Sequence, residues 1–254
     1  MLIRTKALLL NSTAVRESDL LLIFFTEKLG KLRASAKGAL RSKKRFVGAL
    51  LNLNELEIEL AATLGKEIEF RLDHAEIIKS RFELAKKPER LACAYALSEL
   101  LEKAAPDTEP APHLYDLLAE GIDSIQKAKN FRGYFLYFFL QIISRLGYQP
   151  VLKSCAKCHK KHSAKAKQFF FSVKRGGLIC EDCEGAEKNL RPVSVSLGRS
   201  LIAISNPDLK KAVRVRLSEK DWRAAIDLLF RFSAWHLEKP INSLEFLMQF
   251  QNKS

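Results

Sequence analysis

Four of the five cysteines fall in two pairs, Cys155-Ala-Lys-Cys158 and Cys180-Glu-Asp-Cys183, with 21 residues between the pairs. A CxxC turn lets two thiolates meet one ion, and two such turns supply the four ligands of tetrahedral Zn²⁺ at about 2.3 Å. We therefore expect one Zn²⁺ on Cys155, Cys158, Cys180 and Cys183, structural because a four-thiolate site has no open coordination position. Two disulfides would be out of place in a reducing compartment. Covalent haem on the Cys155-to-His159 CxxCH stretch would leave the second pair idle, and a thioredoxin-type dithiol needs a βαβ context that is absent. Gly176 and Gly177 suit a sharp turn into the second pair, and Phe169, Phe170, Phe171 and Val173 could cover the site. His159 and His162 are expected at the surface, and Cys93 as a small buried hydrophobe.

The second chemistry is cationic. Between Lys28 and Arg45 stand Lys28, Lys31, Arg33, Lys37, Arg41, Lys43, Lys44 and Arg45, eight cations and no acid. If Lys31, Arg33 and Lys37 share one face of a strand, successive positions along it lie about 6.7 Å apart, a spacing that can track phosphates. A second acid-free run, between Pro150 and Ile179, holds Lys153, Lys157, Lys160, Lys161, Lys165, Lys167, Lys174 and Arg175. The 254 residues carry 43 Lys and Arg against 29 Asp and Glu, a net charge of +14. Each run contributes +8, so the rest of the chain sums to −2. Such a protein attracts polyanions: DNA, RNA or an acidic protein tail. The opposing reading places Glu55, Glu57 and Glu59 on a neighbouring strand, where cross-strand pairing would cancel the first run. No P-loop, GxGxxG, HExxH or nucleophile elbow is present, so no enzyme is expected.

These residues need elements to position them. Five strands are expected, at Ile3–Leu10, Asp19–Thr26, Lys31–Lys37, Leu50–Leu60 and Lys66–Asp73, with turns at Glu27–Gly30 and Gly65. Leu32, Ala34 and Ala36 alternate with the cations, and Leu56, Ile58 and Leu60 with the glutamates, the period of a half-buried antiparallel sheet. Five short strands fit an OB-like barrel or an SH3-like one. After Pro88 the period becomes helical. Helices are expected from there to the proline-bearing Ala104–Pro112 segment, then over His113–Lys129, Phe131–Leu146, Val193–Ser205, Asp221–Glu238 and Ile241–Phe250. The fold class is α+β: an N-terminal OB-like barrel (1–80), a helical domain (81–150 and 190–254) and a zinc module (151–189). The longest apolar run, Tyr134–Leu140, is far short of the ~20 residues of a membrane span. With no signal-peptide pattern at the N-terminus, a cytoplasmic protein without membrane partners is expected.

In order along the chain stand Glu17-Ser18-Asp19-Leu20-Leu21-Leu22, Thr26, Gly30-Lys31, Ala36-Lys37-Gly38-Ala39, Arg41-Ser42-Lys43, Arg45-Phe46 and Gly48-Ala49-Leu50. Downstream come Leu146-Gly147-Tyr148 with Pro150, Phe171-Ser172, Gly176-Gly177-Leu178, Cys180 and Cys183. This combination resembles RecO, the bacterial recombination mediator family. The resemblance implies an OB domain, a helical domain and a zinc module. It also implies binding of single- and double-stranded DNA, strand annealing and, with RecR, loading of RecA onto DNA coated by single-stranded DNA-binding protein, at the nucleoid. Carried over by position, Lys31, Lys37, Arg41, Lys43 and Arg45 would contact DNA, with Arg33 and Lys44 added on charge. The family also docks the acidic tail of single-stranded DNA-binding protein on its helical domain. Here Phe131–Phe139 departs from the arginine-and-glutamate pattern expected near Phe138. The alternative class is a zinc-ribbon adaptor for acidic protein tails or RNA.

Overall fold

The computed structural model describes residues 2–15, 17–42, 45–46, 48–63 and 70–250, in two compact units, Met1–Gln126 and Lys127–Ser254.

The first unit is built on five strands: β1 (Leu2–Ala14), β2 (Leu20–Thr26), β3 (Gly30–Ala36), β4 (Glu55–Ala62) and β5 (Phe70–Lys79). They close a barrel in the order β1-β2-β3-β5-β4. The long β1 serves two neighbours: Leu2–Leu8 pairs with β4 and Ala7–Ala14 with β2, with a register shift between Leu9 and Asn11 that bends the strand. Closure comes from a short parallel contact of β3 with β5, Ala34 opposite Phe70 and Ser35 opposite Arg71. This is the arrangement of an OB barrel. The alternation expected for β3 and β4 holds, with Leu32, Ala34, Ala36, Leu56, Ile58 and Leu60 in the barrel core beside Leu9, Leu22, Phe24 and Leu72. The fifth strand runs further than expected, to Lys79; the Lys66 start and the Gly65 turn lie outside the described residues.

The first compact unit does not end with the barrel. A 3-10 turn (Phe82–Lys86) leads into α1 (Pro88–Ala104), which packs on β1 and β2 and carries the buried Cys93. Ser98 donates its hydroxyl to Leu10 O at 3.4 Å. This explains why Ala7-Leu8-Leu9-Leu10 is apolar on both faces: one face lines the barrel and the other lies under α1. Next comes α2 (Pro112–Lys127), whose last carbonyls, Ile125 O and Gln126 O, accept from Arg90 at 2.6 and 3.2 Å.

In the second unit, α3 (Phe131–Arg145) is the core helix that its all-round apolarity predicts, with Phe135, Phe138 and Phe139 fully buried. Gly147, at φ +90°, ends it. Three short strands, unforeseen in the sequence, follow: β6 (Phe169–Ser172), β7 (Gly177–Ile179) and β8 (Arg191–Val193), in the order β7-β6-β8. Expected as the start of a helix, Val193 instead ends β8; Ser194 then caps α4 (Val195–Ile204) by accepting the Leu197 N–H at 3.0 Å. A four-residue helix, α5 (Leu209–Ala212), was also unforeseen. After it come α6 (Glu219–His236) and α7 (Asn242–Phe250).

Candidate metal centre and nucleic-acid interface

The four cysteine sulfurs meet. Sγ atoms of Cys155, Cys158, Cys180 and Cys183 all lie within 4.8 Å of one another. For ligands about 2.3 Å from a tetrahedral ion the sulfur–sulfur edge is about 3.8 Å, and the Cys158 and Cys180 sulfurs stand 3.8 Å apart. The backbone forms two knuckles. In the first, the His159 N–H donates to Cys155 O at 2.9 Å, with His159 at φ +61°; in the second, the Cys183 N–H donates to Cys180 O at 3.0 Å. The Lys157 and Cys180 amides approach the Cys155 sulfur at 3.4 and 3.5 Å. Burial alone would raise the Cys155 thiol, but the backbone N–H groups of Cys158, Cys180 and Lys157 outweigh it and lower the pKa to about 6, while burial pushes Cys180 up to about 12. The set can hold one metal ion, and its soft thiol donors suit zinc.

The two glycines before Cys180 do different work. Gly176 supplies φ +66°, whereas Gly177 gives close approach: a Cβ there would meet Val151 O at 2.4 Å and the Ala156 Cβ at 2.9 Å. That proximity lets the two knuckles bridge, through Val151 N–H to Gly176 O at 2.8 Å and Ala156 N–H to Leu178 O at 2.7 Å.

The expected apolar cover is only partly right. Phe170, Ile179, Ala156 and Leu190 surround the sulfurs. Phe169 and Phe171 point to the other face of β6, as strand alternation requires, and meet His162 at 5.1 Å and Phe232 at 6.2 Å. His159 is exposed as expected, but His162 is half-buried, and that burial lowers its pKa. The basic run of the first knuckle also has a counterweight. Glu181, Asp182, Glu184 and Glu187 follow in the second, and Glu187 pairs with Arg175 at 2.6 Å.

The cations of the barrel part into two sets. Lys31 is set apart from the expected row: its ammonium donates to Glu102 O at 2.9 Å, pairs with Asp107 at 3.1 Å, and is 13% exposed. The cause is local. Segment 107–109 docks along the start of β3, with the Thr108 N–H on Lys31 O at 2.7 Å. It approaches so closely that a Cβ on Gly30 would meet Glu109 O at 1.9 Å. Arg33, Lys37, Arg41 and Arg45 are exposed. Arg41 pairs with Glu17 at 2.8 Å, and Arg45 lies over the Phe46 ring at 4.7 Å. Lys43 and Lys44 lie outside the described residues.

The glutamates do not cancel this row. Their strand, β4, neighbours β1 and β5 rather than β3. Glu57 pairs with Arg4 of β1, while Glu55 pairs with the buried Arg81 at 3.4 Å and accepts from the Tyr115 hydroxyl at 3.1 Å. Arg81 is also held by Asp123 at 2.6 Å.

Two side chains fasten the loops that carry the cations. Asp19 accepts the Gly38 N–H at 2.8 Å, just after Lys37. Asn54, 1% exposed, donates to Gly48 O and Ala49 O, both at 3.1 Å, and accepts the Arg81 N–H at 2.9 Å. Phe46 and Ala49 sink into the barrel core between these anchors. Asn54 falls inside the expected strand Leu50–Leu60, whereas β4 starts only at Glu55; an asparagine in a run otherwise read as strand was its one signal.

A closed five-stranded OB-type barrel with an exposed arginine and lysine row, joined to a four-thiol knuckle module, defines a class of nucleic-acid-associated protein. Two family models divide the chain: "Recombination protein O N terminal" matches residues 1–81 and "Recombination protein O C terminal" residues 85–245. Similar proteins run the whole length. A DNA repair protein RecO of Myxococcus xanthus is 30% identical over 96% of each chain. That of Geobacter metallireducens is 29% identical over 98% of each, and that of Caldanaerobacter subterraneus 27% over 97% of this chain and 98% of its own. The chain belongs to the RecO family of DNA repair proteins.

Proposed function

We propose that this protein binds single- and double-stranded DNA along the β3 side of its barrel, through Arg33, Lys37, Arg41, Lys43, Lys44 and Arg45. The observation that carries the reading is the exposed cation row with its acidic strand turned to other partners. Lys31, held by Glu102 and Asp107, keeps a structural role at the same edge. Phosphate contacts of this kind give salt-sensitive affinity with little base preference. The activity that fits is non-enzymatic: annealing of complementary strands and, with RecR, loading of RecA onto DNA coated by single-stranded DNA-binding protein, at the bacterial nucleoid. The metal is one structural Zn²⁺ on Cys155, Cys158, Cys180 and Cys183, the identity best suited to four thiolates at tetrahedral spacing. On this reading the chain works as a DNA-binding barrel (1–80), a helical scaffold (81–150 and 190–254) and a zinc module (151–189).

Where the tail of single-stranded DNA-binding protein docks is not set by Phe138, which is core. The test is an annealing assay with complementary strands coated by single-stranded DNA-binding protein. Accelerated annealing is expected. A protein that binds the coated strands without accelerating annealing would contradict the mediator role, and preference for RNA over DNA of one sequence would point to the RNA-binding alternative.

A further inference from the structure

The barrel row is not where the net charge resides. Residues 1–126 hold 19 Lys and Arg against 19 Asp and Glu; residues 127–254 hold 24 against 10, which is the whole +14. Long-range attraction of a polyanion therefore belongs to the second unit. That unit also has an open hollow of about 660 Å³, lined among others by Leu190, Arg191 and Pro192 of the β8 segment and by Phe230, Arg231 and Trp235 of α6. Among the described residues that line it there is no carboxylate.

Trp235 is the unusual member. It is 58% exposed, whereas the chain's other tryptophan, Trp222, is fully buried on the same helix. Thirteen residues separate the two, about 220° around the helix at about 100° per residue, so Trp235 is off the core stripe of Trp222, Ala225, Ile226, Leu229 and Phe232. An exposed indole beside a phenylalanine and a proline offers a flat platform. Arg191 is in the lining, and Lys174 and Lys188 adjoin the lining residues Val173 and Asn189 in the chain. All three are exposed and make no ion pair among the described residues. Arg231, by contrast, is held by Asp227 at 2.9 Å.

We infer that this groove is a second nucleic-acid site, which takes a single strand by stacking a base on Trp235 and setting its phosphates against Arg191, Lys174 and Lys188. Base stacking on an aromatic platform is sequence-tolerant, and cations beside it follow the backbone. A peptide fits less well. The edge strand β8 has only three residues, and Pro192 removes one of its backbone donors, which leaves little ladder for strand addition. The site is separate from the barrel row. A chain with both would hold two strands at once.

Because Trp222 is buried, the intrinsic fluorescence of the full-length protein can report on Trp235. Titration with an oligo-dT labelled for anisotropy follows binding and quenching together. Saturating oligo-dT is expected to quench the exposed component, and Trp235→Phe to remove most of that quenching. Arg191→Glu should raise the oligonucleotide concentration at half-maximal quenching about five-fold or more, and Trp235→Ala, added to the charge-reversed barrel variant, should raise the anisotropy midpoint by a similar factor. Charge reversal of Arg33, Lys37, Arg41 and Arg45 should weaken the anisotropy signal and leave the quenching in place, which separates a failure of the barrel reading from a failure of this one. Binding with no quenching overturns the inference. So does quenching by an acidic peptide but not by oligo-dT, or quenching that disappears in the barrel variant while Trp235→Ala binds like wild type.

Discussion

Gly30 shows how one residue can fix the meaning of its neighbour. With φ +68° and Glu109 O where a Cβ would sit, it lets segment 107–109 reach β3, and that approach is what takes Lys31 out of the cation row. Gly30→Ala is therefore expected to cost well over 1 kcal/mol, since alanine at an incompatible φ destabilises by more than the ~0.4–1 kcal/mol it gains elsewhere; a denaturant titration measures it. Asp221 makes a pH-dependent contribution in the second unit. It accepts the Ser194 hydroxyl at 2.7 Å and stands in the first turn of α6, where its N–H meets the Ser218 cap at 3.1 Å. Burial would raise its pKa, but hydrogen bonds from Ser194, Ser196 and Ser218 outweigh it, so the folded value lies below that of the unfolded chain. The sign follows: the stabilisation is complete above the unfolded value near ~3.9 and is lost as pH falls through the folded one. Asp221→Asn should thus be less stable than wild type at neutral pH, with the gap closing below about pH 4; unfolding midpoints across pH would show it.

At the scale of elements, strands and helices with a strong period were legible and their interruptions were not. Leu56, Ile58 and Leu60 against Glu55, Glu57 and Glu59 announced β4, and the apolar run of Phe131–Leu146 announced α3, because burial on one face or on all faces writes itself directly into residue type. The strands β6, β7 and β8 have three or four residues each, too few for a period, and the pairing that defines them is set by the knuckles on either side. The same limit explains the apolar cover. Phe169, Phe170 and Phe171 look alike in sequence, yet alternation sends only Phe170 to the sulfurs. The sequence also picked out the four cysteines that cluster, because CxxC spacing is local, but it could not separate Lys31 from Arg33, because that difference comes from Asp107, far along the chain. The loop between β3 and β4 depends on Asn54. Asn54→Ala leaves the buried Arg81 N–H without its acceptor and Gly48 O without its Asn54 donor, while Ala49 O keeps the Leu51 N–H; it should cost about 1–3 kcal/mol and reduce DNA affinity with every cation in place. Binding equal to wild type in a destabilised Asn54→Ala protein would separate the loop from the interface.

For the whole molecule, the division of charge and the metal site carry the predictions. The first unit is neutral overall and exposes Arg33, Lys37, Arg41 and Arg45 on β3 and the segment after it, while the second holds the entire excess. Metal analysis should find one zinc per chain. Removal by a chelator should lower the stability of the second unit, because a closed thiolate site contributes its binding free energy to folding. Cys180→Ser should do the same. The central claim, that DNA lies along the β3 side of the barrel, is tested most directly by fluorescence anisotropy with labelled single- and double-stranded oligonucleotides over a range of salt. The proteins to compare are wild type, a variant with Arg33, Lys37, Arg41 and Arg45 changed to glutamate, and Lys31→Met. The account predicts that the fourfold variant loses affinity for both DNA forms and shows a shallower salt dependence, by about 0.7 in slope for each single-strand phosphate contact removed, and that Lys31→Met loses stability before it loses affinity. Affinity and salt slope in the fourfold variant equal to those of wild type would contradict it.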